Sequence, residues 1–131
     1  MAWVRWSFGA LLCAALLVAL PARSSSPDLY RITVELGRLE ALLGGAHFRE
    51  AGEKALLLRG QALALPPSDE ARQLVIRAEL VAGTAALALG QEAAARQSFL
   101  RALRLDPRLV LPPSASPKVQ RSFDSVKGMA R

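Results

Sequence analysis

GTAALALGQEAAARQSFLRALRLDP, residues 83–107, reads as two helices joined by a tight turn. Gly90 divides the stretch, and Asp106-Pro107 closes it, because proline cannot continue a helix. In the second half Ala95, Phe99 and Ala102 are spaced 4 and 3, which places them on one helical face. Gly83 and Ala95 are small enough to let the two helices approach closely, and Phe99 and Ala102 are free to pack on the next element.

Working outward, Ser68-Asp69-Glu70 opens the first of these helices with a cap and two acids in its first turn. The spacing predicts a helix from there to about Leu89, with Leu74, Ala78, Val81, Ala85 and Leu89 along one side and Ala82 and Ala86 widening it. A second helix is expected from Gln91 to about Leu105. Upstream, Ser26-Pro27-Asp28 starts a helix reaching about Leu43, whose apolar positions Leu29, Ile32, Leu36, Leu39 and Leu43 recur at 3, 4, 3 and 4. Gly44-Gly45 stops it. A further helix is expected over about Ala46–Ala64, with Phe48, Ala51, Ala55, Leu58 and Ala62 on one face and Pro66-Pro67 beyond its end. Downstream, the Pro-rich stretch 108–115 leads to a last helix, capped by Ser116, with Val119, Phe123, Val126 and Ala130 as a narrow apolar stripe. A helix so short needs a surface to dock on.

Gly83, Gly90, Ala95, Phe99, Ala102 and Pro107 resemble the pattern of a tetratricopeptide repeat, in register over their separations of 7, 5, 4, 3 and 5. Where that family places large apolar residues in the first helix, this chain has Glu79, Ala82 and Ala86, so the resemblance implies a thinner core there. Phe48 and Ala51 match the start of a second helix in an earlier, degenerate repeat, 44 residues upstream. The resemblance implies an all-α, tetratricopeptide-like stack of antiparallel helical hairpins over residues 28–107, with 108–131 as Pro-rich linker and capping helix. It is similar to helical repeat proteins of the bacterial cell envelope, which implies a binding surface for another protein.

The N-terminus is of a different kind. Arg5 precedes the uncharged run Phe8–Leu20, followed by Pro21-Ala22-Arg23. Thirteen residues suit a secretory signal better than a membrane span of roughly 20, so residues 1–22 are expected to be a cleaved leader and 23–27 a polar spacer. Two alternatives stay open: an uncleaved membrane anchor, and a lipoprotein at Cys13, which however lies inside the apolar run. The expected location is the periplasm or the exterior.

Composition narrows the function. The leader holds Trp3, Trp6 and the only Cys, so the mature chain has no disulfide and no thiolate metal site. Its core must come from Leu, Ala and Val. The net charge of +6, falling to +5 without Arg5, is scattered, and nucleic acid is not an expected partner. No phosphate loop, nucleophile elbow, CxxC, HExxH or calcium loop is present. His47, the sole histidine, has Glu50 and Glu53 nearby on its helix, and such a group is read as solvated surface. Ser98, Ser122 and Ser125 have no evident base and are expected on polar helix surface. Arg101, Arg104 and Arg108, with Arg96 nearby, are spaced as a solvated basic stripe. No catalytic residue, cofactor or metal is therefore expected. The expected partner is a protein, and a membrane only if the leader is retained.

Overall fold

Three serines start three of the helices. Ser26 Oγ accepts the Leu29 amide at 3.2 Å, Ser68 Oγ that of Ala71 at 3.0 Å, and Ser116 Oγ that of Val119 at 3.3 Å. Each supplies an acceptor to a first-turn N–H that has none inside the helix. The protein's structure, a computed structural model, describes residues 26–130. The leader expected over residues 1–22 lies outside them. The described residues form α1 (Pro27–Gly44), α2 (Phe48–Leu63), α3 (Asp69–Ala88), α4 (Glu92–Leu105) and α5 (Pro117–Lys127), with no strand among them. The fold is all-α, five helices packed on one another, an arrangement compatible with a helical repeat. No helix of the described residues is long and apolar enough to cross a membrane.

The turns of the two hairpins have the same backbone, displaced by 44 residues. Gly45 (φ −88°, ψ 8°) matches Leu89 (φ −86°, ψ 6°). Ala46 and Gly90 follow at φ +63° and +76°, and His47 (φ −85°, ψ 58°) matches Gln91 (φ −90°, ψ 68°). Hydrogen bonds repeat too: His47 N donates to Leu42 O at 2.9 Å, and Gln91 N to Ala86 O at 2.8 Å. The helix expected from Ala46 therefore begins two residues later, because Ala46 is left-handed and His47 caps the helix end. Only glycine adopts that conformation freely, and Ala46 pays a local cost in sterics. Ala46→Gly is expected to raise stability by about 1 kcal/mol in chemical denaturation; an unchanged or lowered midpoint would refute the shared turn.

The α1 stripe is as the spacing predicts. Ile32, Leu36 and Leu39 are buried and Leu29 and Leu43 pack at the margin of the same cluster, against Ala51, Ala55, Leu58 and Ala62 of α2. Helix α3 departs from its expected single stripe. It is buried on nearly every side, including Ile76, Glu79, Gly83 and Leu87, because α1, α2 and α4 all pack against it. Leu89, expected on its buried side, follows the helix end and is 42% exposed.

A second cluster closes the far end. Phe99 and Leu103 of α4 meet Leu111 of the linker and Val119, Phe123 and Val126 of α5. Phe99 and Phe123 pack edge to face, with ring centroids 5.8 Å apart and planes at 78°. Gly83 makes room for this: a Cβ there would lie 2.5 Å from Phe99 Cε1. The last helix thus docks on the stack, burying the stripe read from its sequence.

Candidate functional site

Several concave surfaces border α3, two of them along its length. The first lies between the C-terminal end of α1, α3 and the start of α5, with a volume of about 620 Å³. Leu43, Leu80, Val81 and Leu87 give it an apolar floor, and Leu111 and Val119 extend that floor along the linker and α5. Leu43 and Leu80 are only half-buried, so the groove offers apolar surface to an occupant. Its rim is polar. Arg77 of α3 reaches Glu40 of α1 through Nη2 at 2.9 Å and Nε at 3.0 Å, and Lys118 Nζ donates to Leu87 O at 3.4 Å. An apolar trough with fixed charges at its edge orients a bound segment through the rim and holds it through the floor.

The second surface, about 570 Å³, lies between α2 and α4. Its floor is small, built from Gly52, Ala82, Ala85 and Ala86, because α2 and α3 pack tightly there: a Cβ on Gly52 would sit 3.2 Å from that of Ala85. Arg49 and Glu53 stand on one wall, Gln97 and Arg101 on the other.

Close to this second groove the structure places a buried carboxylate. Glu79 is 2% exposed. Its Oε1 accepts Arg59 Nη1 from α2 at 3.2 Å and Arg101 Nε from α4 at 2.9 Å, while Arg101 Nη2 donates to Ser98 Oγ at 3.2 Å. Glu79 Oε2 and Arg59 Nε are buried without a partner. From the sequence, Glu79 marks only a thinner stretch of core. An acid between Ala78 and Leu80, in a stretch 74–81 that is otherwise apolar except for Arg77, is the available signal, because such a residue needs a cation to stay buried.

Two expectations change with it. Arg101 is not part of a solvated basic stripe: it turns inward to Glu79, Arg104 is exposed on α4, and Arg108 lies past the helix end, where its amide donates to Asp106 Oδ1 at 3.0 Å. Ser98 is not on polar surface but buried beside Arg101. Ser125 is exposed, its hydroxyl donating to Ser122 O at 2.7 Å.

His47, Glu50 and Glu53 do come together, lining one shallow open depression of about 400 Å³ with Leu89. It is surface rather than an apolar pocket, and all three residues are exposed. Glu50 is engaged with Lys54 at 2.8 Å; this hydrogen bond and charge lower the Glu50 pKa and raise that of Lys54. Any contribution of Glu50 to stability is therefore present above its ordinary value of 4.5 and fades as pH falls through the lowered one; that of Lys54 is present below 10.5 and is lost as pH rises through the raised one. Both side chains are about half exposed, so the pair is screened by salt. Among the described residues no group of three or more His, Cys, Asp or Glu side chains converges on a possible metal position.

Compared with family models, with curated proteins and with solved structures, the chain matches none.

Proposed function

We propose that the protein is an exported, non-enzymatic interaction module of the bacterial cell envelope, a short tetratricopeptide-like stack that binds a segment of another protein. The apolar groove along α1, α3 and the start of α5 carries this reading. It presents half-buried Leu43 and Leu80 between a fixed Arg77–Glu40 pair and Lys118, the arrangement of an apolar floor with a polar rim that suits a peptide segment. The repeated turn geometry, 44 residues apart, supports a helical repeat built from two hairpins and a capping helix. A photo-cross-linking residue placed at Leu80 or Thr84, in the native cells, is expected to give one protein adduct of the same mass from both sites. The same residue at exposed Leu57 on α2 should not give it. Absence of an adduct from the groove, or equal capture from Leu57, would reject the reading.

Export rests on the run Phe8–Leu20 and the Pro21-Ala22-Arg23 that follows. Intact mass and N-terminal sequencing of the native protein should find a soluble chain beginning near Arg23. A full-length chain in the membrane fraction would instead make it an anchored subunit of an envelope complex.

A further inference from the structure

The 44-residue correspondence between the hairpins extends into their first helices and exposes a face that the fold leaves uncovered. Adding 44 to Tyr30, Val34, Gly37 and Ala41 of α1 gives Leu74, Ala78, Val81 and Ala85 of α3. All four of the α3 residues are buried, the first three in the cluster made with α1 and α2 and the fourth against Gly52. On α3, then, this stripe is what the preceding hairpin covers. On α1 the same stripe faces solvent: Tyr30 is 70% and Val34 37% exposed, and Gly37 and Ala41 are exposed too. Among the described residues nothing crowds Gly37: a Cβ there would meet nothing within 4 Å. A glycine in a helix interior nevertheless costs about 1 kcal/mol relative to alanine.

We propose that this face of α1 binds the α1 of a second copy of the chain, antiparallel, in a two-fold dimer. The stripe is large in its first half and small in its second. About a two-fold axis between Val34 and Gly37, Tyr30 lies over Ala41 of the other copy and Val34 over its Gly37, so the same face supplies both bulges and both hollows. Two of the charges bordering the stripe are engaged within the subunit, while exposed Arg38, next to Gly37, has no ion pair among the described residues. Arg31 reaches Asp28 Oδ1 at 3.6 Å and donates to Gln61 Oε1 at 2.9 Å, and Glu40 is held by Arg77. At the opposite end of the stack the outer face of α5 is polar. Helix α5 buries its apolar stripe inward and turns Arg121, Asp124 and Ser125 outward. This inference rests on cleavage after Ala22, which removes the apolar run Phe8–Leu20 from the chain ahead of α1.

One helix pair covers less than the roughly 800 Å² per partner of a standard interface, so the association is weak and is measured at high concentration, about 200 μM. The mature chain recovered from cells, examined by light scattering after size exclusion, should move from monomer mass when dilute toward twice that mass when concentrated. Gly37→Leu fills the hollow for Val34 without touching its own subunit, and Val34→Glu charges the bulge. Both should return the chain to monomer mass with helicity and melting temperature kept or raised. Leu57→Glu, at an exposed position of α2 away from the stripe, should leave the dimer intact. Because the mature chain has no cysteine, mixing Tyr30→Cys with Ala41→Cys chains should form the mixed disulfide faster than either self-disulfide. A mature chain that stays monomeric, a dimer indifferent to Gly37→Leu or dissolved by Leu57→Glu, or faster self-linking of Tyr30→Cys would overturn the proposal. Recovery of only uncleaved chain would refute cleavage of the leader and, with it, this proposal; a monomeric mature chain would refute the dimer alone.

Discussion

Phe99→Ala is expected to cost about 3–5 kcal/mol, the usual range for removing a fully buried aromatic ring. For a domain of this size that corresponds to a fall in melting temperature of about 15 °C or more. The ring is fully buried and joins two things that hold the C-terminal half together: the close approach of α3 at Gly83 and the edge of Phe123 on α5. Helix α5 is 11 residues long, too short to persist without that dock. Amide exchange should therefore accelerate most over residues 119–127 and least in α1, whose cluster with α2 does not contain Phe99. Gly83→Ala approaches the same contact from the other side. A Cβ 2.5 Å from Cε1, 2.8 Å from Cδ1 and 3.0 Å from Cζ forces the ring aside, and overpacking of this kind costs about 1–3 kcal/mol. Combining Gly83→Ala with Phe99→Leu should recover part of the loss, because the smaller side chain vacates the space the new methyl needs. Additive effects of the two changes would refute the packing described.

The periodicity that reveals α1 works because α1 has one side to bury. Ile32, Leu36 and Leu39 fall 4 and 3 apart, and nothing else in the described fold covers the helix. The same logic underreads α3, which is enclosed by three neighbours and has no dry and wet side to alternate. The spacing continues through Leu89 and predicts it on the buried side, but the helix ends first, at a turn with the same backbone as that at Gly45. That turn was itself half-legible. Gly44-Gly45 signals a stop, yet the left-handed residue is Ala46, and no residue preference marks an alanine for that conformation. The apolar groove depends on where α5 docks, a long-range event that no local spacing encodes. Burial of Ser98 follows from the inward turn of Arg101, which a stripe of arginines at 3 and 4 spacing does not announce.

Glu79→Ala should lower stability by about 3 kcal/mol, at the low end of the range for breaking a buried ion pair. The low end applies because both cations keep contact with water: the Arg59 side chain is 29% and that of Arg101 41% exposed, against 2% for the carboxylate. Losing the acid leaves a void beside α3 and two guanidinium groups that had shared one negative charge. They can hydrate by swinging outward, but the link from α2 through α3 to α4 is gone. Replacing all three residues together, Glu79→Met with Arg59→Leu and Arg101→Leu, removes the charge and fills the volume. That variant should melt at or above the parent, because paired burial of charge gains little over well-packed apolar side chains. What it should lose is geometry. Arg59 and Arg101 pull on one oxygen from helices that otherwise make little contact with each other, so the cluster sets how far apart α2 and α4 stand along the face of α3. Distances between spin labels on exposed Leu57 and Gln97 should broaden in the triple variant even as its melting point holds. A distribution as narrow as the parent's would mean that helix packing alone fixes the spacing and that the buried acid is dispensable to the shape of the groove.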